Sequence, residues 1–289
     1  MFKKKKDQTY QSYWSISWNI FKKNKVAMVC LFIVILLCLI ALFAPLIAPY
    51  DPNKQVLTDR LMKPCGQHWF GTDDLGRDIF SRIIYGCRVS LSVGIISQII
   101  ATVIGYTMGV CAGYFGGKVD SVISFLIQVF SSFPFLLFAM AIMFVLGPGL
   151  IYLYLALGLL GWASTARLIR GDVMRLKKME YIDACKVSGG NSFRIIMKHL
   201  LPNCLSTLIV TVTLGIPNAI MSEASLSFLG LGVKAPMASW GSMISFSQPY
   251  IRSATYYSVI PGLAIIITVL AFNMLGDGLR DALDPKLRS

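Results

Sequence analysis

From Val26 to Ala48, Val89 to Gly117, Ser121 to Ala166, Leu200 to Ser222 and Ser253 to Gly276 the chain carries no charged side chain. About 20 apolar residues in helix cross a bilayer core, and lipid offers the backbone no hydrogen bonds, so helices or closed barrels must satisfy their own polar groups. Ser121 to Ala166 is too long for one crossing, and Gly147-Pro148-Gly149 divides it, because glycine and proline punctuate helices. The pattern predicts an all-α membrane protein with six transmembrane helices. Residues 226–251 are also poor in charge, but their prolines, glycines and serines predict a folded external loop or re-entrant element.

Charge sets the orientation. The 27 basic residues exceed the 14 acids, a net charge of +13, yet they fall in clusters between silent stretches. No basic stripe interleaved with exposed aromatics is present, which argues against nucleic-acid binding. With the N-terminus inside, 19 basic residues lie in inner segments and 8 in outer ones, as the positive-inside rule requires. The resulting division is a cytoplasmic segment 1–25, a first span 26–48 and an extracytoplasmic segment 49–88. A five-helix core 89–276 follows, with a cytoplasmic loop 167–203, and then a cytoplasmic tail 277–289. The first span is too long for a signal-peptide core and reads as a retained anchor. Seven scattered cysteines form no CxxC pair, and His68 and His199 stand far apart, so no metal site is readable. Most cysteines are expected to pack as small apolar residues; a Cys65–Cys87 disulfide within one external segment is a minority reading.

Several residues inside the spans carry information. Gly105, Gly109 and Gly113 lie on one helix face, as in seams where helices approach closely. A seam within this chain is favoured over one with a partner. Pro134 falls inside the third span, and Gly215 and Pro217 inside the fifth; these are kinks that a gate or a static bundle could use. Gln98, Gln128 and Asn218 are polar groups within spans, and Glu223 is an acid at the outer end of the fifth. Each is a candidate for lining an aqueous path or for an interhelical hydrogen bond. In the inner loop, Tyr181 to Val187, Gly189-Gly190-Asn191 and Ser192 to Leu201 read as helix, turn, helix. That element either rests on anionic headgroups or docks a cytoplasmic partner.

The same loop resembles the EAA loop of binding-protein-dependent ABC importers, whose pattern is Glu-Ala-Ala, three residues, Gly, nine residues, Ile-x-Leu-Pro. Asp183-Ala184-Cys185 stands in the first place, Gly189 at the right spacing, and Leu201-Pro202 at the close. Asp183, Cys185 and His199 depart from it. Trp18–Lys25, His68–Asp78 continuing to Leu91, Ala224–Gly232 and Gly276–Pro285 resemble the dipeptide, oligopeptide and nickel permease group, of the DppC and OppC type. The likeness covers the chain from about Trp18 to its end.

The resemblance implies a type I permease fold and an assembly. A homologous second permease subunit would share the pathway, two ATPase subunits would bind ATP and Mg, and an extracytoplasmic binding protein would deliver cargo. This chain is expected to hold no cofactor and to catalyse nothing. A phosphate-cradling loop needs GxxxxGK followed by Ser or Thr, and Gly116-Gly117-Lys118-Val119 lacks both spacing and hydroxyl. Ser188-Gly189-Gly190-Asn191 superficially resembles an ABC signature but belongs to the turn. The implied coupling residues are Asp183, Ala184, Cys185, Gly189, His199, Leu201 and Pro202, and Gly189→Asp is expected to abolish uptake. The outer segments 51–88 and 223–251, with Asp73, Asp74 and Arg77, are expected to meet the binding protein. Peptide is the expected cargo, with nickel or a metal chelate as the alternative. A passive channel or a membrane enzyme remains a rival class.

Overall fold

The computed structural model describes residues 13–284, so Lys3–Lys6 and the last five residues of the tail lie outside the described chain. Its elements are helical: α1 Tyr13–Lys23, α2 Lys25–Leu42, α3 Ala44–Ile47, α4 Ile79–Phe115, α5 Gly117–Ser132 and α6 Phe135–Leu146. There follow α7 Leu150–Leu176, α8 Glu180–Val187, α9 Ser192–Ile195, α10 Leu201–Phe228, α11 Trp240–Ser247 and α12 Thr255–Leu283. Among the described residues no strand forms, and one isolated bridge pairs Thr72 with Asp78. Five helices are long and apolar enough to span a bilayer: α2, α4, α7, α10 with the segment before it, and α12.

The third expected span is broken rather than kinked. α5 and α6 meet at 88° across Phe133 and Pro134. Pro134 sits ahead of α6, and Phe133 is extended, as residues before proline are driven to be. Counted as one broken span, this pair makes the sixth.

Helix boundaries also move outward. α4 starts ten residues before the expected Val89, because Asp78 caps it, accepting from Ser81 N and Ser81 Oγ at 2.7 Å each. α7 runs on through Arg167, Arg170 and Arg175 to Leu176, absorbing the first part of the expected inner loop. α10 extends to Phe228 and takes in Glu223, so that acid lies within the helix rather than at its end.

α4 and α7 form the central pair. A Cβ on Gly105 would lie 2.8 Å from Trp162 O, one on Gly109 2.7 Å from Ala166 O, and one on Gly113 2.9 Å from Arg170 O. The glycine stripe is therefore a seam within this chain, as expected. Gly109→Val should push α7 off α4, and we expect several-fold less folded protein in the membrane, read by detergent extraction and size-exclusion chromatography. At the Gly113 end of the seam, Arg170 holds Asp120 of α5 by a forked ion pair, with Nη2–Oδ2 at 2.7 Å.

The segment between α3 and α4 braces the bundle. Asp73 is fully buried: its Oδ1 accepts from Leu75 N and Arg77 N, and its Oδ2 accepts from Arg77 Nε at 2.6 Å. Arg82 Nε stands 3.4 Å from the same oxygen, and Arg82 Nη1 donates to Pro52 O. Tyr257 OH and Tyr256 OH on α12 donate to Asp74 Oδ1 and Met62 O. Of the three residues expected on the binding-protein face, Asp73 and Arg77 are thus buried within this chain and Asp74 is partly exposed; a buried carboxylate needs such partners. Cys65 and Cys87 are both free: Cys87 is buried on α4 with its thiol directed at Leu37 O, and Cys65 is exposed in the loop. That excludes the disulfide from this structure.

Residues 226–251 fold back as expected. α11 is fixed through Trp240, whose indole donates to Ile83 O at 3.1 Å, while its backbone N–H donates to Ser90 Oγ. Gly86 leaves room for the ring.

Candidate functional site

Two features stand out: a groove along α10, and the turn that joins α7 to α10. The groove has a volume of about 1370 Å³ and is lined by α4, α6, α7, α10 and the ends of α1 and α12. One wall is apolar, with Phe135, Leu136, Leu157 and Leu168. The other is a polar stripe on α10.

That stripe is Thr207, Thr211, Asn218, Ser222 and Ser225, with Asn203 at its start. Steps of three, four and seven residues put them on one helical face. The opposite face of α10 is packed, with Leu208, Ile216 and Ile220 buried. The charged lining residues, Asp172, Arg175, Arg280 and Asp284, gather at the end nearest the turn. There Thr207 Oγ1 donates to Asp172 Oδ2 at 2.5 Å, tying α10 to α7.

Of the residues singled out in the spans, Gln98, Gly215 and Asn218 line this groove; Gln128, Pro134, Pro217 and Glu223 do not. Gln128 is exposed on the outer side of α5, and Pro217 is buried on the packed side of α10. Glu223 is fully buried, and its Oε1 accepts from Ser227 Oγ at 2.6 Å and Ser239 Oγ at 2.7 Å. Ser239 caps α11, so this carboxyl pins α11 to α10. One residue along a helix turns the side chain by about 100°, which is why Glu223 faces inward beside the groove-facing Ser222. The hydroxyls of the stripe were missed because each serine or threonine is unremarkable alone. Their spacing of three to four within an apolar run was the available signal.

The turn is a short helix seated on the groove-lining helices. Ile182 of α8 is fully buried with Val110 and Tyr114 of α4, Ile169 and Val173 of α7, and Leu208 of α10. Its other face is open: Asp183 is exposed and pairs with Lys186 at 2.7 Å, and Val187 and Phe193 are 90% and 72% exposed. α8 ends in a Schellman motif, in which Gly190 N donates to Cys185 O at 2.9 Å and Gly189 N to Lys186 O at 3.0 Å. Gly189 has φ +81°, which an L side chain resists. A Cβ on Gly189 would meet nothing, whereas one on Gly190 would lie 2.6 Å from Cys185 Sγ and 2.7 Å from Cys185 O. Close approach is therefore the role of Gly190, and backbone conformation the role of Gly189.

Asn191 caps the next helix, accepting from Arg194 N at 2.8 Å. α9 then runs through a π-helical turn, Ile196–Leu200, directly into α10. Pro202 lies in the first turn of α10 and lines the groove; it starts that helix and ends none. Ala184 is exposed, Cys185 and His199 are half-buried, and Leu201 packs against the cluster around Ile182. His199 sits beside Tyr181, with ring centroids 6.0 Å apart. Tyr114 OH donates to Ser192 Oγ at 3.3 Å, and Lys177 Nζ reaches Tyr114 O. The seven residues expected at the loop thus lie on one turn and its continuation into α10.

Apolar helices around a polar groove, with an exposed helical turn between two of its walls, are the architecture of a membrane transport permease, and the comparisons with known proteins give the same class. Residues 102–289 match the family model of the binding-protein-dependent transport system inner membrane component, and the chain belongs to that family. Residues 12–64 match the N-terminal TM domain of oligopeptide transport permease C. The chain is 46% identical over 278 residues to the dipeptide transport system permease protein DppC of Bacillus subtilis (strain 168), covering 96% of this chain and 87% of that one. It is 42% identical over 277 residues to the oligopeptide transport system permease protein OppC of the same organism (96% and 91%). It is also 41% identical over 285 residues to the glutathione transport system permease protein GsiD of Pectobacterium atrosepticum (98% and 95%).

Among solved structures, the inward-facing MetNI methionine ABC transporter aligns with a TM-score of 0.57 at 19% identity, covering 71% of this chain and 98% of that one. That likeness shows the fold. The chain is a multi-pass protein of the bacterial cell membrane and the membrane-embedded component of a multi-part ABC transport system.

Proposed function

We propose that this chain forms half of the pathway of an ATP-driven peptide importer, with both termini in the cytoplasm. Its relatives are named for dipeptide, oligopeptide and glutathione transport, and the groove lining includes neither histidine nor cysteine among the described residues, which favours peptide over a metal chelate. A homologous permease completes the pathway, an extracytoplasmic binding protein delivers the cargo, and two ATPase subunits supply the power. ATP and Mg bind those subunits, and this chain carries out no catalysis.

The observation that carries the reading is the seating of the turn. α8 is packed on one face against α4, α7 and α10, three walls of the groove, and open on the other. A partner that grips the open face and moves would carry the groove walls with it. Two states of the groove, each favoured by different ligands of the assembly, then suffice for transport. A cysteine at Val187 in the assembled complex should cross-link to an ATPase subunit with a short bifunctional reagent, and the yield should change on adding ATP. No cross-link in a complex that transports would remove the coupling role from this turn.

A further inference from the structure

The polar wall of the groove has a gap, and another helix fills it. Along α10 the polar positions run Thr207, Thr211, Asn218, Ser222 and Ser225, and the missing member is Gly215. A Cβ built there would lie 2.2 Å from Gln98 Oε1 of α4. The carboxamide of Gln98, 9% exposed, therefore occupies the place that a polar side chain at 215 would take. Beside it the Ser97 hydroxyl is buried with no hydrogen-bond partner among the described residues.

Most of these groups point their protons away from the groove. Thr211, Ser222 and Ser225 spend their hydroxyl protons on Thr207 O, Asn218 O and Met221 O, at 2.7, 2.7 and 2.9 Å. Thr207 donates to Asp172, and Asn218 Nδ2 donates to Leu214 O. Gln98 Nε2 donates to Thr102 Oγ1 at 3.3 Å, leaving Oε1 without a donor among the described residues. With the hydroxyl protons of Thr207, Thr211, Ser222 and Ser225 and one N–H each of Asn218 and Gln98 committed, what the ladder offers the groove is chiefly oxygen lone pairs. A hydroxyl or amide whose proton is engaged can still accept.

We propose that this ladder is a binding subsite for hydrogen-bond donors on an extended chain, namely the main-chain N–H groups of a peptide. Rungs three or four residues apart rise about 4.5–6 Å along the helix, and two residues of an extended chain rise about 6.6 Å. N–H groups on one edge of a short extended peptide therefore reach neighbouring rungs over two or three positions. The apolar wall opposite, with Phe135, Leu136 and Leu157, takes side chains without choosing among them. Recognition falls on what all peptides share, and the wall carries no fixed charge until the cluster at Asp172 and Arg175.

The inference rests on the peptide reading, and the test separates the two. The complete transporter in proteoliposomes, with saturating binding protein and ATP, is given a tripeptide and its depsipeptide analogue, in which one N–H is replaced by an ester oxygen. The parent complex should import the amide about threefold or more faster, the scale of one net hydrogen bond. In Gln98→Met/Thr211→Val/Asn218→Leu the preference should fall toward one. The binding protein and ATPases are common to both complexes, so their own preferences cancel. Thr211→Val alone, which keeps shape, carries the test where the triple variant assembles poorly, with a smaller shift expected. An unchanged preference in variants that still import, or equal import of both compounds by the parent, overturns the ladder alone. Import of neither compound by a parent complex that transports another solute overturns the peptide reading and the ladder with it.

Discussion

Gly190→Val is expected to abolish uptake while the chain remains in the membrane at near-normal abundance. The new Cβ would stand 2.6 Å from Cys185 Sγ and 2.7 Å from Cys185 O, far inside van der Waals contact. It would break the bond from Gly190 N to Cys185 O that closes α8. The spans lose nothing, because the site lies outside them at the surface. What is lost is the fixed angle between α8 and the helix that becomes α10. Gly189→Asp should act at the same turn by a different route: the backbone cost of positive φ is about 1–2 kcal/mol for an L-residue, and a charge is added to an exposed face. We expect its uptake to fall at least tenfold, with less effect on the turn than in Gly190→Val. Membrane abundance by blotting, paired with peptide uptake, checks both. Normal uptake by either variant at normal abundance would remove that glycine from the mechanism.

The second large effect belongs to the brace between α3 and α4. Asp73→Ala leaves Arg77 and Arg82, both buried, without their shared carboxylate. Removing one partner of a buried ion pair costs about 3–5 kcal/mol, because a desolvated charge is left uncompensated. We expect Asp73→Ala to deplete folded chain from the membrane and to lower the melting temperature of what remains in detergent. Asp74→Ala, at a partly exposed position that loses only the Tyr257 contact and a distant Arg77, should be far milder. Equal stability of the Asp73 variant and the parent, by fluorescence-detected thermal unfolding, would show that the network carries no weight. The result also separates folding from recognition, since charge reversal at Asp73 or Arg77 disturbs the brace before any partner can report it.

Much of the fold was legible in the chain because lipid makes a strict demand on composition. The charge-free runs located the spans, Gly147-Pro148-Gly149 located a break, and Gly105, Gly109 and Gly113 announced a seam that α7 fills. The spacing around Gly189 placed the turn between α7 and α10. Boundaries were less legible, because helices continue beyond the lipid: α4 begins at its Asp78 cap and α7 carries three arginines past the expected end. Pro134 was visible as a weak point, but an 88° break and a kink have the same sequence.

The candidate site divides along the same line. Amino-acid order alone determined that this is a membrane bundle with a structured turn between α7 and α10, because burial in lipid and helix termination are local rules read residue by residue. Tertiary structure alone decided which polar groups face the groove. Asn218 and Glu223 are both polar residues of one helix, yet one lines the groove and the other pins α11, a difference of rotation that only packing sets. It alone revealed that Asp73 and Arg77 are internal, and that Gln98 of one helix fills the place of Gly215 on another. Contacts between residues far apart in sequence have no local signature, and both the groove and the brace are made of such contacts.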